Sequence, residues 1–300
     1  MRGPAARPFL SDHRIVGLGV SLTDAQWARI EPLLPDRTPR RGGRWRDHRQ
    51  VIDAIAFKYR TGTPWMDLPE RFGSWKGAHN RLRKWAADGT WEKVFTALLA
   101  QADAEGDLDW VVAVDSTVVR AHQHAAGARQ KGAPAGEPAD HALGRSRGGL
   151  TTKIHLVADG GCRPLAFVIT PGQAGDAPAF EQVMARLRVP RRIGRPRVTP
   201  DVVLADKAYS SRAIRLHLRQ RKIRAVIPQP ADQAANRKRR GRLGGRPPAF
   251  DRETYKQRNT VERCINKLKQ WRGLATRYDK TATIYLAGLH LAAIFIWSAR

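Results

Sequence analysis

One glutamate in the last quarter of the chain, Glu262, has Tyr255 seven residues before it, Arg258 four before it and Lys269 seven after it. The surrounding stretch, RETYKQRNTVERCINKLKQWR, reads as helix, so this spacing gathers a carboxylate and its cations on one helix face. Val261, Ile265 and Leu268 form an apolar stripe that can bury while Glu262 and Lys269 point elsewhere. Two more acids close apolar stretches, Asp115 in the run WVVAVDSTVV and Asp206 in DVVLADKAYSS. Both runs read as strands, and acids at strand ends lie on the sheet edge where α/β folds hold ligands. Each acid has a plainer reading. Asp115 can cap a turn, Asp206 can cap the helix after it, and Glu262 can pair with Arg258. At a background of about one in twenty per residue type, however, three further defined positions around one glutamate are a rare coincidence. Carboxylates delivered from three distant segments are a donor set for a divalent cation such as Mg²⁺, which prefers oxygen ligands.

The charge says what such a cation would act on. Lys and Arg number 54 against 27 Asp and Glu, a formal net charge of +27, which exceeds what solubility asks for and points to nucleic acid. With two ions about 3.5–4 Å apart, a metal site can activate an attacking hydroxyl and stabilise the departing oxygen of a phosphodiester. Water as attacker hydrolyses DNA, whereas a DNA 3′-hydroxyl joins strands.

Those residues need a scaffold, and 300 residues with 42% hydrophobic content suffice for one large core and a smaller accessory domain. Residues 1–20 read as a disordered lead-in without an apolar stretch of signal-peptide length. Residues 21–105 read as an all-helical unit, opening at a Thr23 cap. Within it TPWMDLPERFG followed by SWKGAHNRLRKWAADG reads as a short helix, a Gly turn and a second helix starting at a serine cap, a helix-turn-helix order. The second helix would expose Lys76, His79, Asn80, Arg83 and Lys84 to phosphates and base edges, with Trp75, Leu82 and Trp85 turned to the core. Arg40, Arg41, Arg44 and Arg46 lie on a Gly- and Pro-containing arm suited to a docked duplex.

From Asp109 the pattern changes. WVVAVDSTVV, TTKIHLVADG and CRPLAFVITPG read as successive strands, the last two a hairpin through Asp159, Gly160 and Gly161. Alternating helices and strands follow, so residues 106–300 read as an α/β catalytic domain. Two basic loops interrupt it. Residues 120–150 carry His122, His124 and His141, read as phosphate or base contacts rather than zinc ligands. Residues 231–250 carry Arg237, Arg239 and Arg240, read as DNA-backbone contacts. Cys162 and Cys264 are too few for a disulfide framework, which fits a reducing cytoplasm. The tail TATIYLAGLHLAAIFIWSAR is apolar over nearly a bilayer's span, but Gly288 and His290 interrupt it and it reads as a buried core helix, with no membrane partner expected.

Tyr255, Arg258, Glu262 and Lys269 match a Y-x2-R-x3-E-x6-K signature, and with LTDAQWARIEPLLP, VDSTVVRAHQHAAG, GGLTTKIHLVAD and DKAYSS the chain resembles bacterial insertion-sequence DDE transposases of the superfamily of families four and five. The resemblance covers about residues 21 to 300. It implies a ribonuclease-H-like mixed sheet flanked by helices, Mg²⁺ or Mn²⁺ as cofactor, and Asp115, Asp206 and Glu262 as metal-binding catalytic triad. Arg258 and Lys269 would grip DNA backbone beside the scissile phosphate, and Tyr255 would touch a phosphate. The implied activity is binding of terminal inverted repeats, cleavage at the element's ends and transfer to target DNA, by a homodimer in the synaptic complex at the bacterial nucleoid. A nuclease of the same fold that only hydrolyses, and a catalytically inert DNA-binding regulator, are the alternatives. Lys207 stands where many relatives have glycine, which makes the turn after Asp206 a point for the structure to decide.

Overall fold

The computed structural model describes residues 21–38, 45–128 and 136–299. The lead-in and Arg40, Arg41 and Arg44 of the arm lie outside them.

The N-terminal helices follow their local signals. Thr23 accepts from the Gln26 amide and Gln26 reaches back to the Thr23 amide, a capping box that starts α1 (Asp24–Ile30). Asp47 caps α2 (His48–Thr61), which ends at Gly62 with φ 75°. Helices α3 (Trp75–Ala87) and α4 (Thr90–Ala104) complete the set. The expected short helix before α3 is instead two 3-10 turns, Trp65–Asp67 and Glu70–Phe72. Each is preceded by a proline, Pro64 or Pro69, whose missing amide hydrogen and fixed φ restart the chain. Ser74 precedes α3 without a side-chain cap bond; its carbonyl instead accepts from Arg46 Nη1.

Strands β1 (Val111–Ala121), β2 (Gly144–Ser146), β3 (Gly149–Ala158), β4 (Pro164–Pro171), β5 (Val202–Ala205), β6 (Arg224–Val226) and β7 (Thr276–Arg277) form one mixed sheet. Its main path is β4–β3–β1–β5–β6, antiparallel between β4, β3 and β1 and parallel between β1, β5 and β6. β2 and β7 are short additions to β3 and β1. The β3–β4 hairpin turns where expected, and Asp159 fastens it by accepting from the Arg163 amide and guanidinium. Helices α5 (Asp176–Arg186) and α6 (Arg212–Gln220) supply the crossovers that parallel pairing requires. They are followed by α7 (Ala231–Arg239), α8 (Asn259–Lys269) and α9 (Ala282–Ser298). The result is the expected mixed α/β sheet flanked by helices, with a helical unit at its N-terminal side. In the described residues of the 120–150 loop, a helical turn at Gln123–Ala126 and strand β2 are formed.

α9 is buried on nearly every side. It packs between the N-terminal helices and the sheet, so one continuous hydrophobic cluster runs through both. Among the described residues no helix is long and apolar enough to cross a membrane. His290 of α9 stacks on Phe95 of α4 and tilts against Phe167 of β4. Burial, with Arg186 adding its charge, drives this imidazole down to about 3.

A free histidine titrates near 6.5, so the unfolded chain takes up this proton first, and stability is lost as pH falls from about 6.5 toward 3. His290→Leu should therefore lose less stability than the parent between pH 7 and pH 4, by on the order of 2 kcal/mol. Denaturant unfolding at the two pH values measures this. Equal acid losses in both proteins would assign the effect to another group.

Candidate active site

β1 and β5 pair in parallel register up to Val114 and Ala205, and the next residues are Asp115 and Asp206. Asp206 closes β5 as expected. Asp115 does not close its strand: β1 continues for six residues, because Ser116 to Arg120 keep pairing with β3 and Ala121 pairs with β7. The Asp206 carboxylate accepts from the Ala208 amide at 2.8 Å and so caps the 3-10 turn Lys207–Tyr209. Lys207 is not among the residues with positive φ, so this turn does not require a glycine.

The Glu262 segment is not one helix. Arg252–Tyr255 is a single turn, Lys256–Arg258 is 3-10, and α8 begins at Asn259. Asp251 caps the first turn through the Glu253 and Thr254 amides, and the tightened turn after it offsets Tyr255 from the face of α8. Within α8 the phase is as expected: Val261, Ile265 and Leu268 are buried, and Glu262 and Lys269 are exposed. Arg258 links the distant segments. Its Nη1 donates to Glu262 at 2.7 Å and its Nη2 to Asp115 at 3.3 Å. Burial raises the Asp115 carboxyl above its ordinary range; the Ser116 amide and Arg258 oppose this, and the negative charges of Asp206 and Glu262 reinforce it. The Tyr255 phenol is likewise raised by burial first, and it feels all three acids. Asp115, Asp206, Glu262, Arg258 and Tyr255 thus share one electrostatic neighbourhood.

The opposite face of β1 carries a second polar group that sequence reasoning missed. Ser116 Oγ donates to Asp176 at 2.6 Å, Lys153 Nζ donates to the same oxygen at 3.1 Å, and His155 bonds Thr170 beside them. Burial works against ionisation of Asp176, but these hydrogen bonds and the lysine charge hold it below the usual carboxylate range. Only strand alternation, with Ser116 opposite His155 in the register, could have flagged this group.

Residues 106–297 match a family model described as the transposase DDE domain, and residues 22–95 match one described as a putative transposase of the IS4/5 family. The chain belongs to the DDE transposase family. A putative transposase for insertion sequence element IS6501 of Brucella ovis is 31% identical over 153 residues, covering 49% of this chain and 98% of that protein. An uncharacterized protein, y4sN, of Sinorhizobium fredii is 41% identical over 109 residues, 36% of this chain and 83% of its own. Among solved structures, a Mos1 transposase paired-end complex with left transposon end aligns over 84% of this chain and 86% of that one, at 13% identity and TM-score 0.24. The Mos1 strand transfer complex aligns at 15% identity and TM-score 0.26, over 80% of each chain. Scores this low carry no argument about the chain.

Enzymes of the DDE transposase family use divalent metal ions, and the carboxylate oxygens of Asp115, Asp206 and Glu262 suit such a hard cation. Among the described residues no three acid, His or Cys side chains are grouped as a ready metal cluster; the cation that Asp115 and Glu262 hold is Arg258. His141 is paired with Glu137, and His122 packs on His124 and Tyr278. On α3 of the transposase, Lys76, Asn80, Arg83 and Lys84 are exposed while Leu82 and Trp85 are buried. His79 is half-buried against Trp65, and the Lys84 ammonium rests 4.2 Å over the Trp45 ring. Trp75 is only partly buried, because it starts the helix at the surface. Arg239 bonds Asn236, while Arg237 and Arg240 line a cleft against α6.

Proposed function

We propose that this DDE transposase binds the terminal inverted repeats of an insertion sequence, cleaves at its ends and transfers the strands to target DNA. Asp115, Asp206 and Glu262 would hold Mg²⁺ or Mn²⁺ as the metal-binding triad. The bound ions supply Lewis-acid stabilisation of the attacking and departing oxygens. One observation carries this reading: Arg258 bridges Asp115 and Glu262, 147 residues apart, and Asp115 feels the Asp206 charge as well.

Arg258 and a divalent cation claim the same oxygens. A DNA phosphate that takes over the guanidinium would release Asp115 and Glu262, so substrate contact favours formation of the metal site. Lys269, exposed two turns along α8, and Tyr255 extend this surface for the phosphodiester backbone. Cations beside the scissile phosphate also stabilise the charge that develops during transfer. The exposed face of α3, with Lys76, Asn80, Arg83 and Lys84, is assigned to the element's ends, and two ends held together make a homodimer the economical assembly.

Purified protein incubated with end-repeat duplex, Mg²⁺ and a supercoiled target plasmid should yield joined products that EDTA abolishes. Cleavage without joining would reduce the assignment to a nuclease. Binding without cleavage would reduce it to a regulator.

A further inference from the structure

Residues 207–250 contain thirteen Lys and Arg against the single acid Asp232, and the fold gathers much of this charge in one place. Arg212, Arg215 and Arg219 recur at helical spacing along α6, and they face Arg237, Arg240 and Arg246 across a cleft of about 590 Å³. An adjoining hollow of about 830 Å³ shares Arg215, Arg219 and Arg246, so the two form a groove. Among the described residues none of these six arginines is paired with a carboxylate. Arg237 Nε is shielded from solvent and has no hydrogen-bond partner. Arg215 is fixed by donating to Ser210 Oγ at 2.8 Å and to the Ile227 carbonyl at 2.9 Å. Burial lowers its guanidinium below the usual range, a penalty that a neighbouring anion removes. Helix α7 buries none of its own residues; it serves as a wall that presents Gln233, Asn236 and Arg237 to the groove.

The groove's position identifies its ligand. Ser210, in its floor, follows Asp206 by four residues, and Gln229, on its rim, follows the end of β6. It therefore opens at the carboxyl edge of the β5–β6 pair, with Ser210 tying it to the turn that follows Asp206. The N-terminal helices pack over the opposite side of the sheet, where Phe95 of α4 meets Phe167 of β4 at 6.0 Å. A duplex cut or joined at the acids has two arms, and only one belongs to the element.

We infer that the groove between α6 and α7 binds the phosphate backbone of DNA outside the element, the flank before cleavage or the target at joining. This rests on the transposase reading above. Such DNA has arbitrary sequence, which suits arginines that grip backbone without reading base edges.

The test uses the full-length protein and three duplexes: one of arbitrary sequence, one with the terminal repeat ending flush at the cleavage position, and one with the repeat continued into its flank. Arg219→Glu with Arg240→Glu reverses two exposed groove charges; Arg192→Glu with Arg195→Glu reverses two exposed charges elsewhere and serves as control. The groove variant, melting at the parental temperature, should lose about tenfold or more in affinity for arbitrary duplex, with a salt slope shallower by about two. The control should lose little, and the flush repeat should bind to both as to the parent. Loss on the flanked duplex assigns the flank, and loss confined to joining flush repeats to a plasmid assigns the target. Equal losses in the two variants, or a matching loss on the flush repeat, would overturn the inference. A protein that joins nothing yet shows the groove-specific loss would overturn the transposase reading while leaving the groove in place.

Discussion

Glu262→Gln and Asp115→Asn should each lower strand joining on the order of 10³-fold or more. The loss of a metal-bearing carboxylate removes several kcal/mol of transition-state stabilisation, and each 1.4 kcal/mol is a factor of about ten. Both substitutions keep side-chain shape. Glu262 is exposed, so its replacement leaves no buried charge behind. Duplex affinity should be preserved, since each change also loosens the hold on the Arg258 guanidinium. Parallel measurement of joining and of duplex binding separates the two effects. Joining within tenfold of the parent in either variant would sink the triad, and a parallel collapse of DNA binding would show that the acids serve structure rather than metal.

Arg277→Met should cost about 3–5 kcal/mol, the range for breaking a buried charged network, and lower the melting temperature by on the order of 10 °C. Arg277 is 0% exposed. It donates to Thr152 Oγ1 at 2.6 Å and to the carbonyls of His141, Ala142, Asp279 and Lys280. Among the described residues no carboxylate pairs with it directly; carbonyl dipoles and the Thr152 hydroxyl hold the cation, with the charges of Asp279 and Glu137 in support. His141 and Ala142 have φ of 52° and 51°, left-handed backbone that such residues seldom adopt, and Arg277 anchors both of their carbonyls. Methionine fills similar volume but takes the donor from the carbonyls of His141, Asp279 and Lys280, while the Ala142 carbonyl keeps the Thr152 hydroxyl. Arg277→Lys should rescue little, because an ammonium cannot reach in as many fixed directions as the guanidinium fork. Thermal melting checks both, and a parental melting temperature for the methionine variant would show that water satisfies the network.

Legibility tracked the range of the responsible physics. The Thr23 cap, the buried face of α8 and the β3–β4 hairpin depend on neighbours within a few residues, so periodicity and capping chemistry identified them. The continuous helix through Tyr255 failed because the tightened turn at Lys256–Arg258 has no strong breaker in its sequence. The short helix in TPWMDLPERFG failed because Pro69 divides it into two 3-10 turns. Placing Asp115 at a strand end failed because pairing with β3 carries β1 past it.

By itself the sequence determined which residue types and spacings were present: the Tyr255, Arg258, Glu262 and Lys269 series, two acids at apolar runs, an excess of cations and a uniformly apolar last helix. Tertiary structure alone decided that Arg258 would reach Asp115 as well as its own Glu262, that Arg277 would be enclosed, and that six arginines would face one another across a groove. Those outcomes depend on register and packing between segments far apart in the chain. Propensity acts over a few residues, whereas a long-range contact exists only once the sheet has fixed which strands are neighbours.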